Sequence, residues 1–183
     1  YHNLGITVGG ASDQYSFGWA NQLCLNHDTA GCIEILVGGL ILEAQIATQI
    51  AITGADIPIK INDYSVENWC THTVQPGDRI AFGYATAGCR AYLAVAGGIQ
   101  APLIFNSLST VVREKLGGLC KKGTALKKND ILPCQPNPAS AQRSVPKQYH
   151  CQFNTDIAEI RMVTGYQFEQ FNKEQISQFF STD

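Results

Sequence analysis

Two polar segments, each beginning at or ending near a glycine pair, carry the side chains best suited to bind an oxyanion. Gly9-Gly10-Ala11-Ser12-Asp13 leads into a predicted helix whose N-terminus can hold an anion. It has neither the G-x-G-x-x-G nor the GK[ST] pattern, so the alternatives are a nucleotide site and a turn with a helix cap. The second segment, Asn106–Thr110, gathers an amide and three hydroxyls close to Arg113. It can bind an oxyanion or a partner backbone, or it can be a hydrogen-bonded turn.

Four further side chains are candidates for chemistry. Asp13 and Asn21 lie eight residues apart, a little over two helical turns, and Asn21 falls on the apolar face of the helix. A buried amide must be hydrogen-bonded, so Asn21 either serves a site or ties down a neighbouring loop. Asp56 follows a strand and is either a general base or a turn carboxylate. Gln167 follows another predicted strand, where it shares a face with Glu169 if the chain is extended.

The cysteines and histidines predict neither a metal site nor a disulfide framework. There are seven cysteines, an odd number, with no C-x-x-C pair, and the four histidines show no H-x-x-x-H spacing. We therefore expect most cysteines to be small buried hydrophobes in a reducing compartment. No Ser-His-Asp or Cys-His arrangement can be assembled from the spacing.

Composition excludes two classes of partner. Charged residues make up 15% of the chain, against about 25% in a typical domain, and a surface with so little charge suits burial against a protein partner. The net charge of −2 offers no basic field, so we expect no nucleic acid. The apolar stretches are too short to span a membrane and no signal peptide is evident, so we expect a cytoplasmic protein.

The elements that must position these residues are mostly strands. Short runs of β-branched or alternating character predict strands at 46–53, 57–61, 79–84, 90–96 and 158–163, with Gly97-Gly98 ending the fourth. We predict a mainly β fold, a barrel or a sandwich, with a few short helices. One helix spans 13–25 with Ser12 or Asp13 as its N-cap, and Gly18 within it predicts close packing. Another begins at Asn172, where Gln175 completes a capping box.

The prolines predict the domain organisation. Four of the seven lie within residues 133–146, which favours a linker at 133–148. This places a first domain at 1–132 and an incomplete second domain at 149–183. The chain begins at Tyr1 and stops three residues after Phe180, so we expect it to be truncated at both ends.

Taken in order, these residues resemble the allophanate hydrolase subunit 2 family, which is also called the biotin-dependent carboxyltransferase or 5-oxoprolinase subunit family. The matching segments are GITVGGASD (5–13), AN (20–21), LN (25–26), Glu34, AITGAD (51–56), GD (77–78), RAYLAVAGGI (90–99), ST (109–110), LGG (116–118), Gly165 and Gln167. The match runs along nearly the whole chain, which makes it more specific than any one motif.

The resemblance implies a cyclophilin-like β-barrel followed by the start of a second β-barrel domain. It also implies a sister subunit of related fold, similar to allophanate hydrolase subunit 1. Three functions are known in the family: ATP-dependent opening of 5-oxoproline to glutamate, carboxyl transfer from biotin to urea, and antagonism of a kinase-inhibitor protein. Fold alone does not choose among them.

The leading interpretation is a subunit of an ATP-dependent 5-oxoprolinase that acts on a small cyclic amide and shares ATP with its partner subunits. We expect catalytic roles for Asp13, Asn21 and Asp56, and substrate or nucleotide binding by Ser109, Thr110, Arg113 and Gln167. In the first alternative, carboxyl transfer to urea, biotin sits on a partner domain, since this chain has no A-M-K-M segment. The second alternative is a non-catalytic protein that binds a kinase inhibitor.

Overall fold

The fold is mainly β, as the sequence predicts. The computed structural model describes residues 3, 5–137, 140–153 and 161–181. The chain divides into two units, Tyr1–Phe153 and Asn154–Asp183. In chain order the helices and strands are α1 (Gln14–Leu23), β1 (Gly31–Leu36), β2 (Ile41–Glu43), β3 (Thr48–Asp56), β4 (Ile59–Ile61), β5 (Tyr64–Val66), β6 (Cys70–Val74), β7 (Arg79–Phe82), β8 (Ala87–Ile99) and α2 (Lys173–Ser181).

The strands of the first unit form two four-stranded antiparallel sheets. The first sheet has the order β1-β8-β3-β6 and the second has the order β2-β7-β4-β5. Isoleucines and other apolar residues of both sheets form one core cluster, which includes Ile50, Ile52, Leu93, Ile80 and Phe82. The two sheets therefore enclose a single apolar interior.

The first sheet is covered on its other face as well. Helix α1 packs there, and its Ala20 and Leu23 share a second cluster with Ala51, Tyr92 and Ala94 of the sheet. Eight of the nine residues of β3 are buried. Burial on both faces explains why β3 and β8 carry consecutive apolar residues, at 50–52 and 91–96, instead of the alternation of a strand that is exposed on one side.

Strand β8 is longer than the sequence predicts, because it continues through Gly97 and Gly98 to Ile99. The predicted strand end at the glycine pair is wrong. Gly97 donates its N–H to the Asn26 side chain at 2.8 Å, so a loop beyond the sheet stabilises this part of the strand. Opposite β8 the register of β3 shifts between Gly54 and Asp56. Gly54 has φ +97°, and a Cβ there would lie 2.4 Å from the Arg90 carbonyl oxygen, so only glycine fits this bulge.

Four strands were not predicted, and each has a physical reason. Strands β2 and β5 have three residues each, and most of those residues are exposed or half-buried. Strands β1 and β6 carry Glu34 and His72 among apolar residues, which weakens the apolar signal. Pairing with neighbouring strands, rather than local propensity, determines these four elements.

The predicted first helix is confirmed, with bounds shorter by one residue at its start and two at its end. Asp13 is the N-cap, and its carboxylate accepts a hydrogen bond from the Ser16 N–H at 3.0 Å. The expectation for Gly18 is wrong, since a Cβ there would meet nothing within 4 Å. Gly18 lies in open space rather than at a close contact.

The proline-rich segment packs against the first unit. Arg143 accepts at its carbonyl from the Thr71 N–H at 2.8 Å, and Val145 donates its N–H to the Trp69 carbonyl at 2.8 Å. Val145 is only 4% exposed. Residues 140–146, which we call the strap, thus extend the first sheet beside β6. The first unit continues to Phe153, whereas the sequence predicted a boundary at 132 and a linker at 133–148.

In the second unit the described residues form two helical elements, a 3₁₀ helix at Phe168–Gln170 and α2. The predicted capping box is confirmed: Gln175 N donates to Asn172 Oδ1 at 2.8 Å, and Asn172 N donates to Gln175 Oε1 at 3.1 Å. Of the predicted strand at 158–163, residues 158–160 lie outside the described residues. Residues 161–163 are not in a strand, since the described part of this unit offers no strand to pair with them.

Candidate functional site

The two glycine-associated segments identified in the sequence meet in the fold. We call residues 9–13 the glycine turn and residues 106–110 the serine loop. A Cβ at Gly9 would lie 2.3 Å from Val111 Cγ2 and 3.5 Å from Ser109 Cβ, so the turn packs against the end of the loop. Just before the turn, Thr7 donates its hydroxyl to Glu114 Oε2 at 2.8 Å and its N–H to Oε1 at 3.3 Å. These contacts join positions that are about a hundred residues apart in sequence.

The serine loop has an ordered hydrogen-bond pattern of its own. Ser107 Oγ donates to Ser109 Oγ at 3.0 Å and accepts from the Ser109 N–H at 3.1 Å. Ile104 and Ser107 exchange main-chain hydrogen bonds at 3.0 Å, which closes the turn. Ser107 and Thr110 are exposed and Ser109 is half-buried. The loop therefore presents hydroxyl groups in fixed positions at the protein surface.

Hydrogen bonds join the glycine turn to Tyr92 and Glu34 of the first sheet. The Tyr92 hydroxyl accepts from the Asp13 N–H at 2.7 Å and donates to Glu34 Oε2 at 2.7 Å. Glu34 Oε2 also accepts from the Ser12 N–H at 2.9 Å. Burial is the main cause that raises the pKa of the Tyr92 phenol, so its hydroxyl keeps its proton and donates to the carboxylate at neutral pH.

Arg90 pairs with the same glutamate. Its Nε lies 3.1 Å from Glu34 Oε1, although the angle falls short of hydrogen-bond geometry. Both side chains are about one third exposed, so this ion pair is partly screened by solvent. The Glu34 carboxylate thus contacts the Arg90 cation and the Ser12 hydroxyl through Oε1, and two further hydrogen-bond donors through Oε2.

Asp13 and Asn21 use their side chains to hold the fold. The Asp13 carboxylate accepts from both the Ser16 N–H and the Ser16 hydroxyl. Asn21 is fully buried; its amide donates to the Ala30 carbonyl at 3.2 Å and its oxygen accepts from Asn26 Nδ2 at 3.0 Å. These contacts place Asp13 at the edge of the candidate site and Asn21 beneath the protein surface.

The remaining predicted site residues are spread over the chain. Asp56 is exposed at the end of β3, three residues or about 10 Å along the strand from Thr53, which pairs with Tyr92. Arg113 is 79% exposed, and its Nε lies 3.9 Å from Glu114. Gln167 belongs to the second unit, where it precedes the 3₁₀ helix. The structure thus brings the turn that leads to Asp13 against Ser109, which precedes Thr110, whereas Asp56 lies at the end of β3.

Sequence reasoning missed the functional potential of Glu34 and Tyr92. A signal for Glu34 was present, because it is the one charged residue of the apolar run GCIEIL. Tyr92 carries the corresponding signal, a hydroxyl within the apolar run of β8. A buried tyrosine hydroxyl requires a partner, and that requirement points to a polar group on the neighbouring strand.

One cysteine and histidine pair also escaped prediction. Cys70 Sγ lies 3.3 Å from His72 Nε2, and the two alternate positions of β6 put both side chains on one face. Burial raises the pKa of Cys70, so its thiol stays protonated, and His72 also lies 2.7 Å from the Glu67 carbonyl.

Among the described residues, no three His, Cys, Asp or Glu side chains are grouped to hold a metal ion. No helix in this part of the chain has the length and apolar character to cross a membrane.

Comparison with known proteins places these features in a family. The family model described as carboxyltransferase domain, subdomain A and B, matches residues 4–183. Urea amidolyase of Lachancea kluyveri is 36% identical over 146 residues, which is 80% of this chain and 8% of that protein. A 5-oxoprolinase subunit of Escherichia coli K12 is 35% identical over 133 residues, which is 73% of this chain and 42% of that protein.

A solved structure agrees with the sequence comparisons. The crystal structure of K. lactis urea amidolyase superposes with a TM-score of 0.80 at 28% identity, covering 95% of this chain and 11% of that one. The chain thus spans less than half the length of each of these relatives. The match of the family model along nearly the whole sequence is decisive: the chain belongs to the carboxyltransferase domain family, subdomains A and B.

Proposed function

We propose that the chain is part of a subunit of an ATP-dependent 5-oxoprolinase, a cytoplasmic enzyme that opens the lactam ring of 5-oxoproline together with a sister subunit. The observation that carries this proposal is the junction of the glycine turn with the serine loop. At this junction Gly9 contacts Ser109, whose hydroxyl is hydrogen-bonded to that of Ser107, and Thr110 is the next residue in sequence. The E. coli relative, named as a subunit of a 5-oxoprolinase, supports the choice of reaction.

The reaction requires donors that are fixed before charge develops. A lactam carbonyl is a weak electrophile, and transfer of the γ-phosphoryl group of ATP to its oxygen converts that oxygen into a leaving group. Water then attacks the ring carbon, and the carbon–nitrogen bond breaks as the nitrogen leaves as the amine, which gives γ-glutamyl phosphate. A second water hydrolyses this acyl phosphate to glutamate and phosphate. Negative charge builds on oxygen atoms in these steps, and preorganised hydrogen-bond donors stabilise it. The ordered hydroxyls of the serine loop meet this requirement.

We assign direct contact with substrate or nucleotide to the exposed groups. Ser109 and Thr110 donate to phosphate or carboxylate oxygens, and the Arg113 guanidinium can bind such oxygens in a bidentate manner. Proton transfer by Asp56, which is exposed at the end of β3, and substrate binding by Gln167 stay predictions from the sequence.

Asp13 and Asn21 act in this proposal through the main chain. Their side chains are engaged with Ser16, Ala30 and Asn26, so they fix the turn and the start of β1 rather than touch the substrate.

Carboxyl transfer from biotin to urea is the second candidate. The L. kluyveri urea amidolyase matches 80% of the chain, and the K. lactis urea amidolyase structure covers 95% of it. In this reading biotin is carried by a partner domain, and the serine loop binds the carboxylate that is transferred. The two reactions share a small amide substrate and differ in the activated group.

The test uses the full-length protein co-purified with the subunits encoded beside it. We expect ATP turnover that depends on 5-oxoproline, and a Ser109→Ala, Thr110→Val variant is expected to lower kcat/KM by about 10- to 100-fold. Ser65→Ala is the matched control, since Ser65 lies on β5 of the second sheet. No turnover with all subunits present would overturn the proposal. Biotin-dependent carboxylation of urea would establish the second candidate, and a stable complex with neither activity would indicate a binding protein.

A further inference from the structure

Glu34 occupies the centre of the hydrogen bonds that hold the glycine turn. Its Oε2 accepts from the Ser12 N–H at 2.9 Å and from the Tyr92 hydroxyl at 2.7 Å. The same hydroxyl accepts from the Asp13 N–H at 2.7 Å. One carboxylate thus holds two consecutive amides of the turn, the first directly and the second through Tyr92.

The Tyr92 side chain is held in place by its packing and by its position in the sheet. Tyr92 is 1% exposed, and its ring meets Phe17 of α1 edge-on at a centroid distance of 6.1 Å. Residue 92 of β8 pairs with both Glu34 of β1 and Thr53 of β3, which fixes its backbone from two sides. The tyrosine hydroxyl therefore has a defined position relative to the carboxylate.

At its first residue, Gly9, the turn contacts the serine loop. Gly9 packs against Val111 and Ser109, so a displacement of the turn changes its spacing from the loop. Hydrogen bonds to an ionised acceptor are stronger than neutral ones, and Glu34 supplies one to Ser12 and one to Tyr92. Glu34 therefore contacts the turn at Ser12, and the turn contacts the serine loop at Gly9.

We infer that Glu34 is a positioning residue of the candidate site: through Ser12 directly and through Tyr92 and Asp13 indirectly, it holds the glycine turn at the distance from the serine loop that the reaction needs. The inference rests on the proposed function. Glu34 itself contacts the main chain of the turn from strand β1 and does not touch the substrate.

The test compares Glu34→Gln and Tyr92→Phe in the full-length protein with its partner subunits. Hydrogen–deuterium exchange is measured by mass spectrometry on a peptide that includes residues 9–13. We expect both variants to speed exchange in this peptide by about tenfold or more, because each removes a charge-assisted or buried hydrogen bond. We expect kcat for 5-oxoproline-dependent ATP turnover to fall by about tenfold or more, with KM changed by less than about threefold, because misplaced groups act on the transition state.

Two controls separate positioning from other roles. Glu43→Gln makes the same change on β2 of the second sheet, where Glu43 contacts Gln45, and we expect it to alter neither readout. Arg90→Gln removes the ion pair but leaves the Glu34 oxygens available to the turn, so we expect a smaller effect than that of Glu34→Gln. Glu34→Gln is the safer variant for folding, because Glu34 is exposed, whereas Tyr92 lies in the core.

Three outcomes would overturn the inference. Unchanged exchange in the Glu34→Gln peptide would show that the carboxylate does not hold the turn. Faster exchange with unchanged kcat would show that the turn position does not matter for the reaction. An Arg90→Gln variant as impaired as Glu34→Gln would assign the effect to the ion pair. If the wild type has no turnover, the proposed function fails with the catalytic half of the inference, and the exchange result alone decides whether Glu34 holds the turn.

Discussion

Gly9 lies so close to Val111 that a β-carbon at position 9 would stand 2.3 Å from Val111 Cγ2. A β-branched side chain is stiff about its first torsion, so Val111 has little freedom to move away. This contact joins the glycine turn to the segment that follows the serine loop. It explains why the first glycine of the pair carries no side chain, a constraint that does not apply to the second.

Gly9→Ala is expected to destabilise the fold, whereas Gly10→Ala is expected to be tolerated. The added methyl group at position 9 overpacks the contact with Val111 and costs about 1–3 kcal/mol in the free energy of unfolding. A Cβ at Gly10 would meet nothing within 4 Å. Urea denaturation of both variants measures the difference. Val111→Ala combined with Gly9→Ala should recover part of the loss, and a Gly9→Ala protein as stable as wild type would contradict this packing.

Gly18→Ala is expected to stabilise the protein by up to about 1 kcal/mol. Gly18 lies inside α1, where alanine has the better helix propensity, and the new methyl group would meet nothing within 4 Å. The gain comes mainly from the unfolded chain, which loses conformational freedom. A thermal unfolding scan checks it as a rise in Tm. A lower Tm would mean that α1 packs more tightly at this position than the structure shows.

The sequence predicts interactions well where they are local. The caps at Asp13 and Asn172 depend on residues three positions away; Asn172 was predicted as a cap, and Asp13 was one of two candidates for the first helix. The contact of Tyr92 with Glu34 spans 58 positions, and it exists only because β1 and β8 pair in the register that sets these residues opposite each other. No turn connects these two strands directly, so their register is set only when the sheet assembles and buries its apolar faces.

The serine loop could likewise be recognised in the sequence, but its contact with the glycine turn could not be predicted. Its hydroxyls and its glycine neighbours are visible in the sequence, but the approach of Gly9 to Ser109 depends on how the chain folds over about a hundred residues. The strap is a related case. The prolines of residues 133–146 favour a linker, yet the Arg143 and Val145 main-chain hydrogen bonds fix the strap along β6.

Cys120 is expected to be the cysteine that alkylates fastest among those whose pKa is perturbed. The Thr124 hydroxyl, 3.1 Å from its sulfur, and the Lys122 main-chain N–H lower the pKa of this exposed thiol. Burial instead raises the pKa of Cys24 and of Cys32 to about 12. The thiolate is the reactive form, so Cys120 should react with iodoacetamide at a lower pH than an ordinary thiol.

Peptide mapping after alkylation of the native protein between about pH 6 and pH 9 measures this order. Thr124→Val removes the hydroxyl and should shift the reactivity of Cys120 to higher pH, toward that of an ordinary thiol. Lys128→Ala, which changes an exposed residue nearby in sequence, serves as the control. Reaction of Cys24 or Cys32 before Cys120 would contradict the assignment.

Arg143→Met is expected to release the strap from the first sheet. The guanidinium donates from Nε to the Leu23 carbonyl at 2.6 Å and from Nη2 to Gln49 Oε1 at 2.8 Å. Gln49 is only 2% exposed, so loss of the cation leaves its oxygen with Ser140 Oγ as its remaining donor, at 2.9 Å. Removing one partner of a buried polar group costs about 1–3 kcal/mol, which raises the population of the released strap by about 5- to 150-fold.

Limited trypsin digestion measures that population through cleavage after Lys147, which follows the strap in sequence. The rate at Lys147 should rise by about tenfold in Arg143→Met. Cleavage after Lys60 of β4 should stay slow, because Lys60 pairs within the second sheet and reports on global unfolding. A rise at both sites would mean that Arg143 stabilises the whole first unit. A strap that is cleaved quickly in the wild type would instead show residues 133–148 to be the linker that the prolines favour.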